Sequence, residues 1–229
     1  DAPEAARYNT LRVMRPMPRI RDLEVLFRSA DVRGQPLGEQ QFGTSAGATT
    51  EATAEREVRT RSRDWLLKWE PERPPGVPDA SESRSAFVAR CRARDRERHL
   101  GTGHGFGIFA EDGLRGEINV SGVQRGPFQS AYVGYWIDQA AAGRGYVPEA
   151  MVLLARHAFE ELELHRLQVA IIPRNAASRR VAEKLGLRDE GTALRYLEIA
   201  GVWEDHVRYA ITSEEWEDRR DDLLKEWVL

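Results

Sequence analysis

Between residues 131 and 178 the chain runs through a strand, a glycine turn, a helix, a second strand and a capped helix in immediate succession, an order that few folds accept. Tyr132, Val133, Tyr135, Trp136 and Ile137 are β-formers in a short run closed by Asp138, which predicts a buried or half-buried strand. After the polar turn of residues 139–142 come Gly143, Arg144 and Gly145. From there Val147, Met151, Leu154, Ala155, Ala158, Phe159 and Leu162 fall at helical spacing. Pro148 sits in the first turn, where its missing N–H costs nothing. The glycines therefore lie where a helix begins. A helix N-terminus offers unpaired N–H groups and the positive end of the macrodipole, and glycines let a bulky anion approach that backbone. The prediction is a phosphate or pyrophosphate cradle spanning Ala142, Gly143, Arg144, Gly145 and Tyr146.

A Walker loop would need Lys and then Ser or Thr after its second glycine, but Tyr146 follows Gly145. A dinucleotide fingerprint needs three spaced glycines, and two are present. Residues 167–172 predict a second strand ended by Pro173. Residues 175–185 predict a helix with Asn175 as N-cap and Gly186 at the left-handed C-terminal position. The pattern Tyr135-Trp136-Ile137-Asp138 followed by Gly143-Arg144-Gly145 resembles the acetyl-CoA loop of the GNAT N-acetyltransferases. Asn175-Ala176-Ala177-Ser178 with Val181-Ala182-Glu183-Lys184-Leu185-Gly186-Leu187 resembles that family's following helix. Arg195-Tyr196-Leu197, Gly201-Val202-Trp203-Glu204-Asp205-His206 and Tyr209-Ala210 are similar to the closing hairpin of its RimJ/RimL branch, the ribosomal-protein alanine N-acetyltransferases.

The resemblance covers roughly residues 87–211. It implies an α/β (α+β) GNAT fold: a central, mixed and mostly antiparallel sheet, helices on both faces, and a splayed pair of parallel strands holding acetyl-CoA. It also implies that Trp136, Ile137 and Asp138 line the pantetheine slot, that Asn175 and Lys184 belong to the cofactor site, and that Ser178 lies near the sulfur and protonates the departing thiolate. The sheet is also expected from pattern alone. Residues 106–110, 114–123 and 131–138 read as antiparallel strands, with Asp112-Gly113 as a hairpin signal, and they lead into a parallel crossover.

With 229 residues, 41% hydrophobic content and a net charge of -3, the chain can bury one good core and carries no basic excess for nucleic acid. One domain is expected over 1–229, with a flexible insertion at 34–55, rich in Gly, Ala, Thr and Ser, and a proline-rich linker at 71–85. The single Cys91 excludes an intramolecular disulfide, the histidines show no metal-ligand spacing, and no apolar run approaches a membrane span. The expectation is a cytoplasmic protein without metal, membrane or direct nucleic-acid partner, as monomer or homodimer. Toward the N-terminus, residues 11–16 alternate like an edge strand, and 20–28 place Leu23, Leu26 and Phe27 on one helical face. Trp65, Leu66 and Trp69 recur at helical spacing and wall either a groove or a small core. A helix over 85–99 carries Arg90, Arg92, Arg94, Arg96 and Arg98, read as a solvated face or, second, as a dock for an acidic surface. Residues 213–227 predict a C-terminal helix.

Acetyl transfer from a thioester needs a neutral amine, stabilisation of the carbonyl oxygen and a proton for the thiolate. Backbone N–H groups near Trp136 and Ile137 and the hydroxyl of Ser178 supply the last two by resemblance. The general base is the gap. Family members can carry Glu where Arg195 stands, which leaves Glu117 as the candidate, with Asp138 and Asp205 behind it. Ala140 also departs from the loop's usual Gln or Arg. An N-terminal amine, with a pKa of about 7.7 to 8.0 against about 10.4 for lysine, is the easier acceptor for a weak base. The expected function is acetyl-CoA-dependent N-acetylation of a protein N-terminus, with a ribosomal protein implied by the branch. An aminoglycoside or polyamine is the alternative acceptor, and a non-catalytic acyl-CoA-binding regulator is the alternative of another class.

Overall fold

Gly113, at φ +117°, opens the long second arm of a hairpin whose two strands supply the centre of the sheet. In a computed structural model, the described residues are 10–12, 22–24, 46–73, 76, 77, 79, 83–110 and 113–228. Strands β1 (Thr10–Arg12), β2 (Asp22–Glu24), β3 (Gly103–Ala110), β4 (Gly113–Gln124), β5 (Ser130–Ile137), β6 (Arg166–Ile171), β7 (Arg188–Ile199) and β8 (Val202–Thr212) form an eight-stranded sheet. Its order is β1-β2-β3-β4-β5-β6-β8-β7, antiparallel throughout the described residues except for β5 and β6.

The crossover between those two strands is α4 (Tyr146–Arg156), extended by a π-helical turn, His157–Glu161. All of α4 from Tyr146 to Ala155 is buried, so this helix is held by packing on every side. It lies with α6 (Ser213–Trp227) on one face of the sheet, against Ile118, Val120, Val133, Leu167, Val169, Val207 and Ile211. The opposite face carries α1 (Ala46–Arg61), the short α2 (Arg63–Leu66) and α3 (Arg84–His99), with a smaller cluster of Phe87, Cys91 and Leu114 backed by Phe109 and Trp136. Helix α5 (Ala176–Lys184) follows β6, with Asn175 accepting from the Ser178 N–H at 3.2 Å and Gly186 at φ +58° beyond its end.

Several expectations change. Residues 22–24 are a strand, since Leu23 pairs with Ile108 on β3. The rest of the helix expected over 20–28, Leu26 and Phe27 included, lies outside the described residues. Of the expected edge strand at 11–16, Leu11 and Arg12 are extended and the rest lies outside the described residues. Residues 46–55 of the expected flexible insertion belong to α1, while 34–45 lie outside the described residues. What holds α1 down is polar as well as apolar: Glu55, 1% exposed, meets Arg90 of α3 at 2.6 Å, Val58 is buried and Ala54 packs on the smaller cluster. Helix α3 is not a uniformly solvated arginine face. Arg90 and Arg94, a turn apart, turn inward to Glu117, and Arg92 and Arg96 are exposed. The C-terminal helix spans Ser213–Trp227 as expected, and a Thr212–Glu215 capping box starts it.

Candidate active site

Strands β5 and β6 pair over only three steps, Ser130 with Arg166, Ala131 with Leu167 and Tyr132 with Gln168. Beyond Tyr132, β5 stays with β4 through Ile137, and β6 stays with β8 through Ile171. The parallel pair therefore opens into a V, and the backbone edges inside it have no strand partner. The glycine turn lies just past the end of β5. Gly143 and Gly145 stand at φ +79° and +89°, a left-handed geometry that side chains resist. Gly145 is the N-cap of α4 and puts no side chain on the first-turn N–H groups. A Cβ on Gly143 would meet no atom within 4 Å. Ala142, Gly143, Arg144, Gly145 and Tyr146 thus form an uncapped, open helix N-terminus, with Arg144 exposed beside it.

Asp138 fixes this turn from below. Its carboxylate, 1% exposed, accepts from Ser62 Oγ at 2.7 Å, from the Ala140 N–H at 3.2 Å and from the guanidinium of Arg61. Burial opposes its charge, but these donors outweigh burial and hold the carboxyl below its ordinary range. With its oxygens so engaged, Asp138 is an anchor for the loop, and Ile137 turns its backbone toward the V while Trp136 turns its own toward β4. Ser178 sits in the first turn of α5. Its polar neighbour is Tyr135, whose hydroxyl is buried, makes no hydrogen bond of good geometry among the described residues, and has its pKa pushed up to about 12 by that burial. Sequence reasoning missed Tyr135 as anything but a strand former. Lys184 occupies the far end of α5 from Asn175, with its ammonium 6.0 Å from the Trp227 ring centroid, and is not brought to the glycine turn by that contact.

On the other face of the sheet lies a groove of about 1020 Å³, lined by α1, α3, the segment after α2, and the strand residues Glu117, Asn119 and Trp136. Glu117 pairs across the ladder with Trp136 and is 3% exposed. One carboxylate oxygen takes the Arg90 guanidinium and, at 3.4 Å, the Trp136 indole N–H, and the other faces Arg94 at 3.7 Å. An incoming amine would have to displace one of these donors to reach it. Arg59 covers the Trp136 ring at 4.7 Å and pairs with Glu70 at 2.8 Å, so the wall is a charge-balanced lattice. Trp69 is shared between Lys68, at 5.2 Å, and Arg174, at 5.6 Å, and belongs to neither core cluster, whereas its neighbours Leu66 and Leu67 line the groove.

Over residues 13–188 the chain matches the acetyltransferase (GNAT) domain family. It belongs to that family. Among curated relatives, the probable N-acetyltransferase YjcK of Bacillus subtilis is 42% identical over 120 residues, which are 52% of this chain and 63% of that protein, so the chain spans under two thirds of its length. The ribosomal protein uS5-alanine N-acetyltransferase of Escherichia coli is 34% identical over 158 residues, 68% of this chain and 79% of that one. Among solved structures, Mycobacterium smegmatis RimJ in complex with CoA-disulfide superposes with a TM-score of 0.71 at 30% identity, covering 77% of this chain and 84% of that one. This GNAT protein is accordingly an N-acetyltransferase of the RimJ/RimL type, with the mixed sheet and splayed strands expected of it. No helix among its described residues is long and apolar enough to cross a membrane.

Proposed function

We propose that this GNAT protein transfers acetyl from acetyl-CoA to the N-terminal α-amine of a protein, ribosomal-protein N-termini being the acceptor class. The observation that carries the reading is the V between β5 and β6, which opens toward the glycine turn at the end of β5 and whose edge residue Trp136 also lines the groove. The first-turn N–H groups around Gly143 and Gly145 would take the pyrophosphate, aided by the exposed Arg144. The free edge of β5 at Ile137 would pair with the amide groups of the pantetheine arm and polarise the carbonyl. Acetyl-CoA supplies the activated acyl group, and the protein's part is to align it, exclude water and manage two protons. Ser178, held at the N-terminus of α5 by the Asn175 cap, would give the proton that the leaving sulfur needs. Glu117, the base suggested by the sequence, keeps the groove's arginines in place instead, because its oxygens are already taken.

The α-amine is favoured over lysine because it is neutral far more often near pH 7: a gap of about 2.5 pKa units amounts to about 3.4 kcal/mol. A groove this long suits an extended chain terminus. The relatives support the acceptor class, since curated proteins of Escherichia coli with 34% and 27% identity carry alanine- and serine-directed ribosomal-protein names. We assign the whole chain to one catalytic domain working in the cytoplasm, where acetyl-CoA and ribosomal proteins meet.

The test is thiol release from acetyl-CoA with free-N-terminus peptides, N-blocked lysine peptides, polyamines and aminoglycosides, comparing wild type with Gly145→Trp. Turnover on free N-termini that the substitution abolishes is the expected outcome. Turnover confined to polyamines or aminoglycosides would replace the acceptor assignment. Acetyl-CoA binding with no turnover on any amine would make the chain a binding regulator.

A further inference from the structure

The three carboxylates suggested by the sequence as bases are engaged: Glu117 by Arg90 and Arg94, Asp138 by Arg61 and Ser62, and Asp205 by the Arg195 N–H at 2.8 Å. The strand register points elsewhere. Tyr132 and Gln168 are level with each other and with Ala210 on β8. Four residues further along, the same level holds Trp136 on β5 and His206 on β8, one step beyond the last β6 pairing, Ile171 with Val207. Because side chains alternate, Trp136, Tyr132, Gln168, Arg208 and His206 share one face, the face of Glu117 and the groove. Arg208 donating to Gln168 at 3.0 Å agrees with that assignment. Trp136 and His206 therefore stand level on that face with the end of β6 between them, and His206 is 2% exposed. At two strand spacings, about 10 Å, they would be separated even without the splay.

His206 is also prepared for a task. Its Nδ1 lies 3.0 Å from the carbonyl of Glu204, and a carbonyl only accepts, so Nδ1 donates there and the lone pair of the neutral ring falls on Nε2. The hairpin is distorted opposite it: the register slips between Ala193 and Leu197, Arg195 takes φ +48°, and the Tyr196 ring is set against the imidazole at 5.8 Å and 61°. A bulge with a strained residue, next to a site, re-aims a side chain. The charged or titratable groups around the ring are Tyr196 from β7, with Tyr132 behind it from β5, Glu204 and Arg208 from β8, and Arg174, which holds Glu204 at 2.6 Å.

We propose that Nε2 of His206 accepts the proton that the acceptor amine loses, with Tyr196 and the bulge at Arg195 holding the ring in place. The proposal rests on the acetyltransferase reading above. The amine nitrogen bonds to the acetyl carbon as the C–S bond breaks, the sulfur takes its proton from Ser178, and the amine's proton passes to Nε2 and then to solvent.

The experiment is the pH profile of kcat/KM with a free-N-terminus peptide for wild type, His206→Gln and Glu117→Gln, alongside acetyl-CoA affinity by calorimetry. His206→Gln is expected to lower kcat by about 100-fold or more, the usual size of a general-base effect, with unchanged acetyl-CoA affinity, and to lose the acidic limb that wild type and Glu117→Gln keep. Retention of that limb and of kcat overturns the proposal. If His206→Gln does not fold, ¹⁵N-histidine NMR of the wild type decides. A His206 signal with protonated Nδ1 that titrates with the acidic limb supports the assignment, and any other tautomer or midpoint overturns it. Wild type that binds acetyl-CoA yet acetylates nothing overturns the enzyme reading itself.

Discussion

Ser178 and Tyr135 show how two side chains of opposite legibility meet. Ser178 could be placed from Asn175 three residues earlier, since an N-cap fixes where a first turn points. Tyr135 needed the sheet, because only packing buries its hydroxyl. Ser178→Ala should cut kcat by about 100-fold at constant acetyl-CoA affinity, read from steady-state kinetics, because the cap bond uses the backbone and survives. Tyr135→Phe should leave Tm unchanged or slightly raised, since a buried hydroxyl without a bond contributes nothing to stability, and a clear drop in a calorimetric scan would contradict that. His104 gives a pH signature. Burial, and then His157 at 3.3 Å, lower its pKa from 6.5 to about 4. The folded state therefore binds fewer protons than the unfolded chain between those values, so stability is full above about pH 6.5 and is lost as pH falls toward 4. His104→Gln should flatten the Tm-against-pH curve in that window.

At the scale of elements, the glycine turn and the two caps were legible because their causes are local. A left-handed position calls for glycine, and a helix start calls for a small polar acceptor. Asn175→Ala should destabilise by about 1 kcal/mol in urea melts, the ordinary worth of an N-cap. Less legible was α1, where residues 46–55 lack an apolar stripe and the ion pair of Glu55 with Arg90 ties the helix to α3. For β2, the choice between helix and strand rests on Leu23 pairing with Ile108, some eighty residues away in the chain. The arginines of α3 split by helical phase, which the sequence contains, but the inward direction is set by the acids of α1 and β4.

Across the whole molecule, Arg90 links α1 to the sheet by bridging Glu55 and Glu117, whose side chains are 2% and 3% exposed. Burial, more than any other influence, raises the pKa of Glu55, so its charge depends on that guanidinium. Arg90→Met would leave two buried carboxylates without their main cation. An expected loss of about 3–5 kcal/mol, measured by urea denaturation and partly restored by Glu55→Gln, follows from breaking one member of a buried pair. The same lattice walls the groove, so the variant should also raise the peptide KM.

The sequence by itself determined the strand–turn–helix unit, the family likeness and the residues at the mouth of α4, because each rests on contacts within a few residues. Only the tertiary structure decided that Glu117 and Asp138 are held by arginines, that Tyr135 lies beside Ser178, and that Trp136 and His206 stand level across the opened strands. Those facts depend on register and on charges from distant segments, and neither leaves a periodicity in the chain to be read.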